Sequence, residues 1–75
     1  MRRDPDRYRE QSERVAERAH AAGLRVEHLI SFDLGWRAGV VVAHPLSERV
    51  WNFAAAYGYV ASPSGRRHTI IEVAR

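Results

Sequence analysis

Apolar and polar residues recur along the chain first at helical and then at alternating spacing, and the cycle runs twice. In the first third, Tyr8, Ser12, Val15, Ala19 and Ala22 fall on one face at about 100° per residue. Asp4 is placed to cap this helix, Pro5 suits its first position, Asp6 complements its dipole, and Gly23 is its stop. The face is small and alanine-rich, which suits close packing on a sheet. Leu24, Val26, His28, Ile30 and Phe32 then alternate with Arg25, Glu27, Leu29 and Ser31, the pattern of a strand with one buried side. Asp33-Leu34-Gly35 reads as a three-residue hairpin loop, and a second strand runs over 36–43. The expected register sets Phe32 against Trp36, Ile30 against Ala38, His28 against Val40 and Val26 against Val42, all on one face.

The second cycle opens at His44-Pro45, which ends the strand and starts a helix. Leu46, Val50, Phe53 and Tyr57 form its apolar stripe, and Gly58 stops it. Tyr59-Val60-Ala61 begins a third strand, Ser62-Pro63-Ser64-Gly65 is turn chemistry, and a fourth strand covers 66–73, with Ile70 and Ile71 on opposite faces. The expected fold is a single α+β domain over residues 1–75, in α-β-β-α-β-β order. It is a two-layer sandwich: a four-stranded antiparallel sheet with two helices on one face. That connectivity is also the one of a circularly permuted ferredoxin-like fold.

Size and composition narrow the function more by exclusion than by motif. A chain of 75 residues buries only roughly 60% of the surface its unfolded form exposes, and it has no cysteine to staple it. Self-association or a bound partner is therefore expected to supply part of its stability. No apolar run is long enough to span a bilayer and no leader pattern opens the chain, so a cytosolic protein is expected. All 12 basic residues are arginine, the usage of a GC-rich coding sequence, and the formal net charge is only +3. That excess is weak steering toward a polyanion.

Two surfaces stand out. Arg7, Arg14 and Arg18 lie within about 40° of one another on the first helix, beside its apolar face, and Arg66 and Arg67 could extend that row along a phosphate backbone. Glu10 and Glu17 are spaced to neutralise it, Glu10 against Arg7 and Arg14 and Glu17 against Arg14. On the second helix, Trp51 lies about 100° from the centre of the apolar stripe and should project outward beside Ala55. Residues 53–57 are apolar nearly all round, as in a helix covered on more than one side. The sheet face away from the helices should add Leu29, Val41, Ala43 and one of Ile70 or Ile71. Tryptophan and tyrosine are frequent interface anchors.

No catalytic or metal-ligating motif is present. His20, His28, His44 and His68 lack metal-binding spacing, no glycine-rich phosphate loop occurs, and Glu27, Asp33, Glu48 and Glu72 form no obvious acid–base pair. His28 breaks an otherwise apolar alternation and reads as a locally hydrogen-bonded histidine. No cofactor, metal or small-molecule substrate is inferred. The stretch Gly58-Tyr59-Val60-Ala61-Ser62-Pro63-Ser64-Gly65-Arg66-Arg67-His68 resembles part of the HicA-type messenger-RNA interferases, a family in which a histidine on a double-stranded-RNA-binding-like fold cleaves RNA. The resemblance implies a ribonuclease role for His68 flanked by Arg66 and Arg67. It covers the last third of the chain, and Gly65-Arg66-Arg67-His68 is one residue longer than the family's G-x-H.

The leading expectation is a non-enzymatic protein-binding or regulatory module acting through a homodimer or a protein partner, with Trp51, Ala55, Leu29 and Val41 at its interface. It could serve as a regulator, an adaptor or an accessory protein of a phage or mobile element. The alternative is a nucleic-acid binder using Arg7, Arg14, Arg18, Arg66 and Arg67.

Overall fold

The computed structural model describes residues 5–32 and 37–74. Its elements are α1 (Pro5–Ala21), β1 (Val26–Phe32), β2 (Arg37–Val42), α2 (Glu48–Ala56), β3 (Tyr59–Ser64) and β4 (His68–Val73). The strands form one antiparallel sheet in the order β1-β2-β4-β3. That is the connectivity of a circularly permuted ferredoxin-like sandwich. Val15 and Ala19 of α1, Val50, Phe53 and Ala54 of α2, and Val40, Val42 and Ile71 of the sheet share one buried cluster with Leu24. Both helices therefore lie on the same face.

Gly23 ends α1 as expected. At φ 79° it occupies the left-handed region, which lets its N–H reach the His20 carbonyl while the Leu24 N–H returns to Ala19 at 2.9 Å. Leu24 is thereby turned into the core beside Ala19. Arg49 of α2 adds a second closure, donating to the Ala22 and Gly23 carbonyls at 3.1 Å and placing positive charge at the negative end of the helix. Of the expected α1 face, Ser12, Val15 and Ala19 are fully buried, Tyr8 is half-buried, and Ala22 is exposed beyond the end of the helix.

The β1–β2 register differs from the expected one. Val26 does stand opposite Val42, but His28 faces Val41, Ile30 faces Gly39 and Phe32 faces Arg37. A bulge between Val26 and His28 absorbs the extra residue, Glu27. The cause lies at Gly39. A Cβ there would sit 2.1 Å from the Ile71 carbonyl oxygen and 2.8 Å from the Glu72 Cα, so β2 and β4 approach at a point only glycine can occupy. The buried Ser12 hydroxyl of α1 accepts from the Gly39 N–H at 2.9 Å and donates to the Ile30 carbonyl, which ties Gly39 opposite Ile30. The expected Asp33-Leu34-Gly35 loop and Trp36 lie outside the described residues.

The second half also departs in detail. The α2 helix begins at Glu48, not at Pro45, because Ala43 and His44 are held by longer-range bonds. The His44 ring accepts the Arg25 N–H, and the His44 carbonyl accepts the Thr69 hydroxyl, each at 2.8 Å. The buried stripe of α2 is Val50, Phe53 and Ala54, while Leu46 and Tyr57 are exposed. Ser62, Pro63 and Ser64 belong to β3, and the turn is Gly65-Arg66-Arg67, with Gly65 at φ 75°. Pro63 is tolerated in the sheet because β3 is an edge strand. Ile71 is the core-facing isoleucine of β4, and Ile70 is half-buried opposite Val41. No helix among the described residues is long and apolar enough to cross a membrane.

Candidate functional site

The α2 helix packs on β3, and the two elements leave a groove of about 160 Å³ between them. Trp51, Ala54, Ala55, Tyr59, Val60 and Ala61 line it. Its rim is open at Trp51, which is 56% exposed; Val60 borders the groove as part of the strand, while its side chain alternates to the other face of the sheet beside Glu72. No charged residue or histidine occurs anywhere in residues 50–65, although 28% of the whole chain is charged. Together, the helix-side face of β3 and the C-terminal two turns of α2 thus bring no charge of their own to the groove. Contiguous apolar exposure of this kind marks contact surfaces, whereas single exposed apolar residues carry no such meaning.

One end of the groove is braced from beneath. Phe53, Tyr57 and Tyr59 form an aromatic cluster with ring centroids 5.4 to 6.2 Å apart, Tyr57 stacking on Tyr59. Arg18 of α1 lies over the Tyr57 ring, 4.4 Å from its centroid, and donates to the Tyr59 hydroxyl at 2.8 Å. A guanidinium stacks on an aromatic face and donates in its own plane, so one arginine serves both rings. This fixes Tyr59, which forms a wall of the groove.

The residues expected from sequence divide into separate places. Trp51 and Ala55 both line the groove. Leu29, 46% exposed, stands opposite Val40 on the other edge strand, and half-buried Val41 stands between His28 and Ile70. Neither joins the groove. Tyr59, Val60 and Ala61 were not singled out by sequence, yet the charge-free run that contains them is plain in it.

The arginines also separate. Arg18 is engaged by Tyr57 and Tyr59. Arg14 shares a shallow surface depression with Glu10, Glu13 and Glu17. Among the described residues no ion pair joins Arg14 to Glu10 or Glu17, so the expected salt-bridged ladder around it is not formed. Arg7 is exposed on the first turns of α1. Arg66 and Arg67 sit in the β3–β4 turn, at the opposite end of β3 from Tyr59. Val26 pairs with Val42, Val42 with Thr69 and Thr69 with Pro63, so the turn lies at the same end of the sheet as Arg25.

His68 opens β4 opposite Ser64, and its Nε2 lies 2.9 Å from a carboxylate oxygen of Glu27, the bulged residue of β1. Elsewhere on the sheet, Arg37 and Glu72 form a two-pronged ion pair at 2.6 and 2.8 Å, and this hydrogen-bonded carboxylate raises Arg37 above the ordinary guanidinium value. Among the described residues no group of three or more histidines and acids is gathered as for a metal ion. No protein-family model matches the chain, and no curated protein or solved structure is significantly similar to it.

Proposed function

We propose that the chain is a non-enzymatic protein-binding module, regulatory or accessory in role, and that the α2–β3 groove is its contact surface. The observation that carries this reading is the exposed Trp51 standing over an uncharged groove beside an edge strand. Natural proteins guard edge strands with charge, proline, bulges or cover. The other edge, β1, carries Glu27 and a bulge, whereas β3 has Pro63 near its end and no charge. An edge guarded only by Pro63 at its far end, next to a large exposed indole, fits one that is covered in use.

The test is photo-crosslinking in living cells at Ala55→p-benzoylphenylalanine, with the exposed Glu13 of α1 as control position. The expected result is a protein adduct at position 55 and none above background at position 13. Adding Trp51→Ala should reduce the adduct about fivefold or more, the equivalent of at least about 1 kcal/mol. Equal labelling at the two positions sinks the reading.

A second reading is favoured by one observation, the convergence of Arg25, Arg66 and Arg67 at one end of the sheet. All three are exposed, and two of them sit on the β3–β4 turn. Such a cluster suits a polyanion, most simply nucleic acid. Under this reading, affinity for a single-stranded oligonucleotide falls steeply between about 50 and 200 mM salt. Reversing both Arg66→Glu and Arg67→Glu should then weaken binding at least tenfold in fluorescence anisotropy. Unchanged binding would remove this reading and leave the groove as the functional surface.

A further inference from the structure

We propose that the occupant of the groove is a second copy of this chain, joined by antiparallel pairing of the two β3 strands about a twofold axis at Val60. The inference rests on the binding reading above and adds the partner and the register.

Pro63 sets the register. It stands opposite Thr69 and has no N–H, so its nitrogen belongs on the side of β3 that faces away from β4. By the alternation of a strand, the backbone groups of Tyr59 and Ala61 face the same way. Two β3 strands can then meet in antiparallel fashion in few ways. Centring the axis on Ala61 would set Tyr59 against Pro63 of the second copy and leave a carbonyl without a donor. Centring it on Val60 sets Tyr59 against Ala61 and Ala61 against Tyr59. Each of these two pairs exchanges both of its hydrogen bonds, and Pro63 stays outside the pairing.

The helix layer supports the same axis. Trp51 and Ala55 are one turn apart on the exposed side of α2 that lines the groove. A twofold axis brings the second copy's α2 alongside in the opposite direction, so each indole meets the small side chain of the other copy's Ala55. A large and a small residue spaced one turn apart is a self-complementary arrangement, the condition for an isologous interface. Arg18, at the end of the groove, stays engaged by Tyr57 and Tyr59. The uncharged run over 50–65 brings no charge of its own into the closure. It also offers no charge by which a foreign strand would be selected.

Three measurements on the purified full chain test this. Wild type should sediment at twice its 8.6 kDa mass, with dissociation on dilution. In this cysteine-free chain, Val60→Cys places two thiols opposite each other in a non-hydrogen-bonded pair, with Cα atoms about 4.5 Å apart, within disulfide reach. Mild oxidation should convert it to a covalent dimer, and Leu29→Cys on the other edge should not cross-link comparably. Ala61→Pro removes an outward N–H without touching the β3–β4 bonds and should raise the dimer dissociation constant at least tenfold with an unchanged circular dichroism spectrum.

A wild type that stays at monomer mass up to about millimolar concentration overturns the proposal, as does Val60→Cys that oxidises to dimer no faster than Leu29→Cys. If Ala61→Pro fails to fold, the cysteine pair decides. A monomer whose residue 55 still gives an adduct with a different protein ends the self-association proposal and leaves the binding reading standing. A wild type at monomer mass together with no adduct at residue 55 ends both.

Discussion

Gly39→Ala should cost the domain about 3 kcal/mol, the upper range for overpacking a tightly filled site. Intrinsic preference argues the other way, since alanine in place of a strand glycine ordinarily gains about 0.5–1 kcal/mol. Geometry decides the sign. The new Cβ would lie 2.1 Å from the Ile71 carbonyl oxygen and 2.8 Å from the Glu72 Cα, and both are backbone atoms of the central strand β4. Neither can swing aside as the end of a flexible side chain would. The β2–β4 seam must widen, and Val40 and Ile71, paired across it and both fully buried, lose their packing. A domain of this size has roughly 0.05–0.15 kcal/mol of stability per residue, so such a loss removes a large part of the total. Urea unfolding measures it. A midpoint within error of wild type would mean that the seam relaxes freely.

Ser12→Ala should cost about 2 kcal/mol. The hydroxyl is fully buried, accepts from the Gly39 N–H and donates to the Ile30 carbonyl. Its removal leaves buried backbone groups without this partner, at about 1–3 kcal/mol for an unsatisfied group. Alanine returns about 0.5 kcal/mol through its better helix propensity, too little to offset the loss. Thermal unfolding should show a midpoint lower by about 8–16 °C at 4–8 °C per kcal/mol. A drop of less than about 2 °C would show that the two strand groups find each other, or water, once the hydroxyl has gone. Because Ser12 and Gly39 are in contact, the two substitutions should not be additive.

These two residues also explain what was legible in the sequence. The fold class and the order of elements followed from periodicity, and Gly23 from the requirement for a left-handed residue at the end of α1. The alternation of β1 suggested a register in which its apolar residues match those of β2 one for one. A serine one layer away and a glycine that admits β4 set the actual register. Both are contacts between distant segments, and a local pattern carries no record of them. The start of α2 was misplaced for the same reason. Pro45 looks like a helix opener, but His44 is stitched to Arg25 and Thr69, and the chain passes through bends at 43, 44 and 46 before the helix starts after Ser47.

The candidate site was half visible. The helical wheel turns Trp51 outward whatever surrounds it, and Ala55 follows one turn on. Val60 and Ala61 gain their meaning only from the strand order, which puts β3 at an edge and under α2. Arg18 was expected on a phosphate-binding row and is found binding Tyr57 and Tyr59, residues about forty positions away in the chain.

The sheet joins two halves that each form largely from neighbours in sequence, α1 with β1 and β2, and α2 with β3, which pairs with β4; the bonds between β2 and β4 are the seam. On a ribosome this order has a cost in time. The first half can assemble as soon as it emerges, but the far side of β2, including the Gly39 backbone, has no ladder partner until residues 68–73 follow. During that interval an apolar Val40-Val41-Val42 edge is open to any other extended strand nearby. The short spacing between β2 and β4 therefore protects it, because only a short stretch of synthesis separates the exposure of that edge from the arrival of the strand that closes it.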